Sequence, residues 1–219
     1  MNLIGYSLKS MLIRCTVITI GVMAAALGCA CYLFANLGSD PVTLFVQGLG
    51  LTLGISAGMA TNLLNATAFI LLLIANRKLI HIGTAIYTVL LGFLVDIFSR
   101  MLTAACGLDP SLALRIGLLV LGTLAIGVGL GLYQSAELGI GPTDGINQTI
   151  VAKTGMHYRW ERMIFDAVMA GVGWLLGGKL SWGTIVGVVA VGPVMAQTLS
   201  LGEKMLAKLP AAAARDHKS

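Results

Sequence analysis

Long stretches without a charged side chain dominate the sequence, and they predict helices that cross a membrane. A span needs about 20 residues to cross the roughly 30 Å of hydrocarbon in a bilayer. The charge-free stretches cover residues 15–39, 41–76, 82–95, 116–136, 167–178 and 180–202. The second stretch is too long for one helix and is interrupted by Pro41 and a group of glycines. It therefore divides into a short helical or re-entrant piece at about 41–51 and a true span at about 55–76.

Polar residues extend the shorter stretches. Asp96 and Arg100 extend the third stretch, and Asp166 extends the fifth. Inside a bilayer such side chains must face protein or reach the interface. Six transmembrane spans result, near residues 12–35, 55–76, 81–104, 112–135, 160–177 and 181–205.

The composition supports a polytopic membrane protein. The chain is 57% hydrophobic and only 11% charged, whereas ordinary soluble domains carry about 25% charged residues. This excludes a disordered chain, a disulfide-rich secreted module and a soluble enzyme. The four cysteines have no C-x-x-C spacing, so we expect them to be packing residues and not a metal or redox pair.

The distribution of basic residues predicts the orientation in the membrane. The net charge is +5, but the basic residues lie at helix ends and form no contiguous patch, so we expect no nucleic-acid partner. With both termini cytoplasmic, eleven basic residues are inside, and only Arg100, Arg115 and Lys179 are outside. Cytoplasmic loops are enriched in Lys and Arg, which favours this orientation, with membrane lipid as the surrounding partner.

The chain repeats itself at an offset of 101 residues. Residues 21–54 align with 122–155 at ten identical positions out of 34, against about three expected by chance in so biased a composition. Since three spans per repeat is an odd number, the second repeat enters the membrane from the opposite face. The predicted fold is an all-α membrane protein of six transmembrane helices, arranged as two inverted-topology three-helix repeats. The alternative is that the duplication only yields a compact, stable bundle.

This prediction divides the chain into three parts. Residues 1–105 form the first repeat and residues 106–205 the second, inverted one. Residues 206–219 form a polar tail, which we expect to be disordered in the cytoplasm.

Each repeat carries the same loop after its first span. The loops read Leu-Gly-Ser-Asp-Pro at 37–41 and Leu-Gly-Ile-Gly-Pro at 138–142. A glycine that ends one helix and a proline that starts the next predict a short helical or re-entrant segment, with Asp40 as the N-cap of the first. A helix N-terminus that points into a cavity binds an anion or a polar group. The alternative is a simple connector outside the membrane.

Polar side chains near these loops and within the spans are the candidates for substrate binding. Gln47 and Gln148 follow the two prolines at the same distance, and Asp166 corresponds to Asn65 in the repeat. We expect these four side chains to line one central cavity, although helix–helix hydrogen bonding explains the asparagines equally well. Asp166 is a potential proton or cation site that Arg162 could neutralise. The full candidate set is Asp40, Pro41, Gln47, Asn62, Asn65, Pro142, Asp144, Gln148 and Asp166.

Enzyme chemistry finds little support in the sequence. It contains no H-E-x-x-H, no G-x-S-x-G, no P-loop and no paired carboxylates on one helix face. We therefore expect no enzymatic activity, no cofactor and no metal site.

Three features of the sequence together indicate a family resemblance. They are the repeated Leu-Gly-x-x-Pro loops, the pairs Gly83-Thr84 and Gly183-Thr184 at the start of spans 3 and 6, and the length of 219 residues. Together they resemble the YczE/YyaS/YitT-like group of small bacterial integral membrane proteins. The resemblance covers about residues 10–205. It implies a location in the bacterial cytoplasmic membrane and a transporter or accessory role, and it supplies no site residues. Gly141 stands in the second loop where the first has Asp40, so a symmetric carboxylate role requires Asp144 as a substitute.

Two functions follow from these features. The first is a small secondary transporter or permease for a small anionic or zwitterionic metabolite, with alternating access around a pseudo-two-fold axis. The second is a non-transporting accessory, assembly or lipid-interacting protein. A transporter needs a polar cavity reached by both short helices, whereas an accessory protein fills the axis with apolar side chains.

Overall fold

A computed structural model describes residues 8–107 and 109–207. In these ranges the chain forms eight α-helices, and a short 3₁₀ turn, Arg77–Leu79, follows the third. The helices are α1 (Leu8–Ala35), α2 (Pro41–Leu53), α3 (Ala57–Asn76), α4 (Ile82–Cys106), α5 (Leu112–Ser135), α6 (Pro142–Thr154), α7 (Tyr158–Leu175) and α8 (Trp182–Leu206).

The helices confirm an all-α protein built for a membrane. Among the described residues, five helices are long and apolar enough to cross a bilayer, namely α1, α3, α4, α5 and α8. The predicted span at 160–177 falls on α7, which has 18 residues but includes Glu161, Arg162 and Asp166. The count of six spans therefore stays a prediction. The predicted tail lies outside the described residues from position 208 onward.

The two short helices begin as their sequences predict. Pro41 and Pro142 occupy the first turn of α2 and α6, and each helix has 13 residues. The loops before them turn at Gly38 and Gly139, whose φ angles are 97° and 120°. At these angles the Cβ of any other residue would collide with the backbone, and glycine has no Cβ. Both loops are buried, since Thr184 covers Gly38 and Thr84 covers Gly139.

Helices α1 and α5 cross at the centre of the molecule and run antiparallel. A Cβ on Gly28 would lie 2.7 Å from the Gly122 carbonyl oxygen, and a Cβ on Gly129 would lie 2.6 Å from that of Gly21. At the 101-residue offset Gly28 corresponds to Gly129, and Gly21 corresponds to Gly122. The two contacts are therefore equivalent by the repeat. Absence of side chains at these glycines is what lets the two backbones approach so closely.

A second pair of equivalent contacts lies at the two ends of this crossing. The Arg14 guanidinium donates to the Ala136 carbonyl at 2.8 Å, and the Arg115 guanidinium donates to the Ala35 carbonyl at 2.6 Å. Each arginine thus satisfies the C-terminal carbonyls of the opposite central helix, which have no partner within their own helix.

Helix α8 packs along α5 in the parallel direction. Gly127 lies against Val194, and Gly131 lies against Thr198, so residue numbers rise together on both helices. Helix α4 packs along α1. The start of each outer helix reaches the loop of the opposite half, since the Gly83 N–H donates to the Leu138 carbonyl at 2.8 Å and the Gly183 N–H donates to the Leu37 carbonyl at 3.0 Å.

The short helices pack against the opposite half of the chain. Helix α2 packs against α7, and α6 packs against α3. One contact breaks the correspondence between the halves, because α3 also packs closely on α4 whereas α7 has no comparable contact with α8. The backbones of α3 and α4 meet at Gly58 and Gly92. In α4 and α8 the repeat offset is 100 residues, as the Gly-Thr pairs at 83–84 and 183–184 show, so Gly192 corresponds to Gly92, and it has open space around it.

Candidate functional site

A cavity of about 80 Å³ lies where the starts of α2 and α6 come together. Apolar side chains from α1, α4 and α5 form much of its wall, among them Ala25, Leu91 and Leu130. The polar and charged side chains around it are Asp40, Thr43, Thr61, Tyr87, Thr143, Asp144 and Arg162. The start of the short helix of each repeat thus lies at the same cavity.

Arg162 on α7 joins the charged groups of this site. Its Nη1 donates to Asp144 Oδ1 at 2.8 Å, and its Nε lies 3.4 Å from Asp166 Oδ1. The second Asp144 oxygen, Oδ2, accepts from the Gln134 amide at 3.3 Å. The guanidinium also lies 5.8 Å from the centre of the Phe165 ring, within the range of a cation–π interaction. One guanidinium therefore serves two carboxylates.

Asp40 occupies the other side of the site. Its Oδ2 accepts from the Thr43 N–H at 3.3 Å, which makes it the N-cap of α2, as the sequence predicts. Its Oδ1 is buried and accepts no hydrogen bond from any described residue.

The start of α6 differs from the start of α2. Gly141 is its N-cap residue, and no side chain caps the helix among the residues described. The Tyr133 side chain lies beneath this point with its hydroxyl buried and unpartnered by described residues. Its ring lies 4.9 Å from the ring of Tyr87. The corresponding tyrosine of the first half, Tyr32, has its hydroxyl bonded to Thr123 at 2.7 Å.

The structure separates the four side chains that were predicted to share one cavity. Gln47 accepts from the Lys179 N–H at 2.8 Å, at the contact between α2 and the segment after α7. Gln148 is exposed. Asn65 is buried on α3, and Asp166 reaches the site through Arg162. The glutamines lie almost two turns into their helices, whereas the helix starts form the cavity.

The remaining candidates have structural positions. Pro41 and Pro142 are buried at the start of the short helices. Asn62 lies against Gly92 in the contact between α3 and α4. The structure thus brings Asp144 and Asp166 to Arg162 and places Asp40 at the same cavity, and the binding role of the whole candidate set stays a prediction.

Sequence reasoning missed several buried polar groups near the site. Asn147 is fully buried and, with its amide nitrogen as donor, lies 3.2 Å from Glu161 Oε1 and 3.2 Å from the Thr143 carbonyl. Glu161 is only 4% exposed. The match of Tyr32 with Tyr133 was a signal for the tyrosines, whereas Asn147 and Glu161 have no polar counterpart in the first half. Within the described ranges no three His, Cys, Asp or Glu side chains form a group that could hold a metal ion.

Comparison with known proteins gives a family and a class. The sequence model of a family of unknown function, DUF6198, matches residues 12–199. The chain is 27% identical over 202 residues to the uncharacterized membrane protein YczE of Bacillus subtilis (strain 168), which covers 90% of this chain and 91% of that protein. It is 24% identical over 176 residues to an uncharacterized protein of Haemophilus influenzae, covering 80% and 77% of the two chains. No solved structure matches the chain. These matches confirm the resemblance to the YczE-like group and agree with a membrane protein.

Proposed function

We propose that this chain, which belongs to the DUF6198 family, is a small membrane transporter for a small anionic or zwitterionic metabolite. The observation that carries the proposal is the single cavity formed by the starts of both short helices and by Asp40, Asp144 and Arg162. Helix starts offer N–H groups and a positive dipole end to a ligand. In transporters with repeated folds, such interrupted segments near the midplane form the substrate site.

The helix directions support six spans in an inverted repeat. Because α1 and α5 run antiparallel, an even number of crossings separates them, which α3 and α4 supply. Because α5 and α8 run parallel, the chain must return across the membrane between them. Helix α7 is the segment long enough to do so, since 18 residues rise about 27 Å. Arg162 and Asp166 belong to the charged cluster at the central site, and Glu161 lies against Asn147 of the short helix α6, so these three side chains need not face lipid.

The difference between the two outer contacts supports alternating access. Helix α3 is packed on α4, while α7 is separate from α8. In an inverted repeat, exchanging these two arrangements between the halves turns a state open to one side into a state open to the other. The site at the starts of α2 and α6 stays in place during the exchange.

The cavity is small in this conformation, about 80 Å³, which favours a cargo of few heavy atoms. We further propose that the protein lies in the bacterial cytoplasmic membrane with both termini inside, and that it has no enzymatic activity.

The second candidate function is a non-transporting accessory or assembly protein. The apolar wall of the cavity favours it, because Ala25, Cys29, Leu33, Ile126 and Leu130 from the two central helices face this space. An accessory protein would use the same charged cluster only to hold the short helices against α7.

Transport in reconstituted vesicles separates the two functions. Purified protein is screened for metabolites that raise its thermal stability, since a ligand of the folded state stabilises by mass action. Each hit is then tested for uptake and exchange in proteoliposomes. We expect the Asp40→Asn variant to lose uptake, and the Asp109→Asn variant, which removes an exposed carboxylate, to transport like the wild type. If no stabilising metabolite is taken up or exchanged, the accessory function replaces the transporter.

A further inference from the structure

The two short helices begin with different chemistry, although they occupy corresponding places. Asp40 caps α2, and Gly141, at the position that corresponds to Asp40, leaves α6 without a side-chain cap among the described residues. The first N–H groups of a helix have no partner within the helix. Those of Thr143 and Asp144 are therefore available to a group that enters the site from outside the chain.

A second observation marks the same point as a binding position. The Tyr133 side chain is 0% exposed, and its hydroxyl has no hydrogen-bond partner in the described part of the chain. A Cβ on Gly141 would lie 3.4 Å from this hydroxyl oxygen, so the hydroxyl lies over the place where a capping side chain would be. Leaving a buried polar group unpaired is unfavourable, and a ligand oxygen that accepts from the hydroxyl would relieve this cost.

Asp144 does not fill this place itself. Arg162 holds its Oδ1 at 2.8 Å and Gln134 holds its Oδ2 at 3.3 Å. Both oxygens are thus engaged by side chains from α7 and α5, and the positive charge of Arg162 offsets the carboxylate. Asp144 Oδ2 also lies 3.5 Å from where a Cβ on Gly141 would be, so a ligand carboxylate at the α6 start would lie beside a carboxylate that Arg162 already neutralises, and it would accept from the free N–H groups and the Tyr133 hydroxyl.

The start of α2 has the opposite character. Asp40 uses one oxygen as the cap, and the other, Oδ1, is buried at the cavity and accepts no hydrogen bond from a described residue. A buried carboxylate oxygen without a donor suits an ammonium group, because hydrogen bonds between ionised groups are the strongest of their kind.

We propose that the site binds a small zwitterion of the amino-acid type, with its ammonium at Asp40 and its carboxylate at the start of α6 beside Tyr133. The proposal rests on the cavity as the binding site of the proposed function, and it specifies the substrate class and the direction in which the substrate lies. The gap between the ammonium and carboxylate groups of such a molecule is short, which agrees with the small cavity.

The test uses three probes that differ only in their charged ends: glycine, methylammonium and acetate. Their binding to the purified full-length protein is measured by calorimetry in detergent, which does not depend on transport. We expect glycine to bind best. Asp40→Asn keeps a capping side chain and removes the charge, so it should weaken glycine and methylammonium and leave acetate unchanged.

Two variants test the carboxylate end. Tyr133→Phe removes only the hydroxyl and should weaken glycine about tenfold or more, the size expected for a hydrogen bond to a charged group, while methylammonium is unaffected. Gly141→Ser adds a capping side chain at a residue with φ −56° and should compete with the ligand, so glycine binding falls while thermal stability is kept or raised. Tyr32→Phe is the matched control, since the Tyr32 hydroxyl already has Thr123 as its partner, and it should leave glycine binding unchanged.

The outcomes separate this proposal from the proposed function. Equal effects of Tyr133→Phe and Tyr32→Phe, acetate that binds as tightly as glycine, or no binding of any probe would overturn the zwitterion proposal. Glycine binding with the expected variant pattern but without flux in vesicles would keep the binding site and refute transport. Flux of another metabolite with no effect of Tyr133→Phe would keep transport and refute the orientation of the zwitterion.

Discussion

At the scale of single residues, Arg162 carries the electrostatics of the central site. Its guanidinium contacts Asp144 and Asp166, and both carboxylates are largely shielded by the protein. Removing one partner of such a pair leaves an uncompensated charge, which costs more than the pair contributes.

We predict that Arg162→Met destabilises the protein by about 1.5–3 kcal/mol, the range for hydrogen bonds to charged groups. Adding Asp144→Asn to the variant should recover part of this loss, because it removes a carboxylate that has lost its partner. Chemical denaturation in detergent measures the four members of the cycle. Additive effects of the two substitutions would show that the ion pair makes no contribution of its own.

Three carboxylates of the site are predictable from the sequence, and its tyrosine is not. Asp40, Asp144 and Asp166 attract attention because a carboxylate within an apolar stretch needs a reason. Tyr133 does not, since a tyrosine in a span is ordinary and only the structure reveals that its hydroxyl has no described partner. The glutamines Gln47 and Gln148 show a further limit, because their match in the repeat indicates their position in the helix but not the direction in which their side chains face.

At the scale of helices, the crossing of α1 and α5 depends on small residues at fixed places. A Cβ on Gly129 would lie 2.6 Å from the Gly21 carbonyl oxygen, whereas Gly117 on the same helix has nothing within 4 Å. The two positions therefore differ in packing but share the helical backbone.

We predict that Gly129→Ala destabilises the protein by about 1–3 kcal/mol, the typical cost of overpacking a tight contact. Gly117→Ala should be neutral or slightly stabilising, because alanine favours a helix over glycine by about 1 kcal/mol. The measurement is the midpoint of thermal unfolding in detergent for both variants. Equal midpoints would mean that the crossing adjusts freely and that the glycines are not packing positions.

The helices show how far hydrophobic pattern reaches. The bounds predicted for spans such as 112–135 agree with α5, Leu112–Ser135, because a long apolar stretch between polar ends leaves few alternatives. Helix α7 is harder, since its charges lower its hydropathy. Its charges are explained only by contacts with residues far away in the sequence, such as Asp144, and a local pattern does not contain them.

At the scale of the whole molecule, the orientation in the membrane follows from basic residues and helix directions together. Reporter fusions after residues 78, 109 and 215 should be found inside, outside and inside the cell, respectively, because cytoplasmic loops are enriched in Lys and Arg. The parallel packing of α5 and α8 requires the same result at residue 215. An outside signal there would contradict both the six spans and the inverted repeat.

The packing difference between the halves leads to a prediction about motion. Ser56 and Asp96 join α3 to α4, with Ser56 Oγ donating to Asp96 Oδ2 at 2.6 Å, and the corresponding positions on α7 and α8 are His157 and Ala196. In a background without the four native cysteines, the pair Ser56→Cys with Asp96→Cys should form a disulfide readily, because its side chains are already in contact. The pair His157→Cys with Ala196→Cys should form one slowly in the same state, because α7 and α8 are apart.

A ligand that favours the opposite state should reverse this order in proteoliposomes, slowing the first disulfide and accelerating the second, since a ligand shifts the populations of states that bind it differently. The rate of disulfide formation under mild oxidation measures both pairs. A rigid bundle would keep the same two rates with every ligand, so reversal distinguishes a molecule that exchanges the conformations of its halves from one that duplicated a module only for stability. An inverted repeat predicts that one disulfide forms faster when the other forms more slowly, because the two halves exchange conformations. Helices without a repeat relationship give no such prediction.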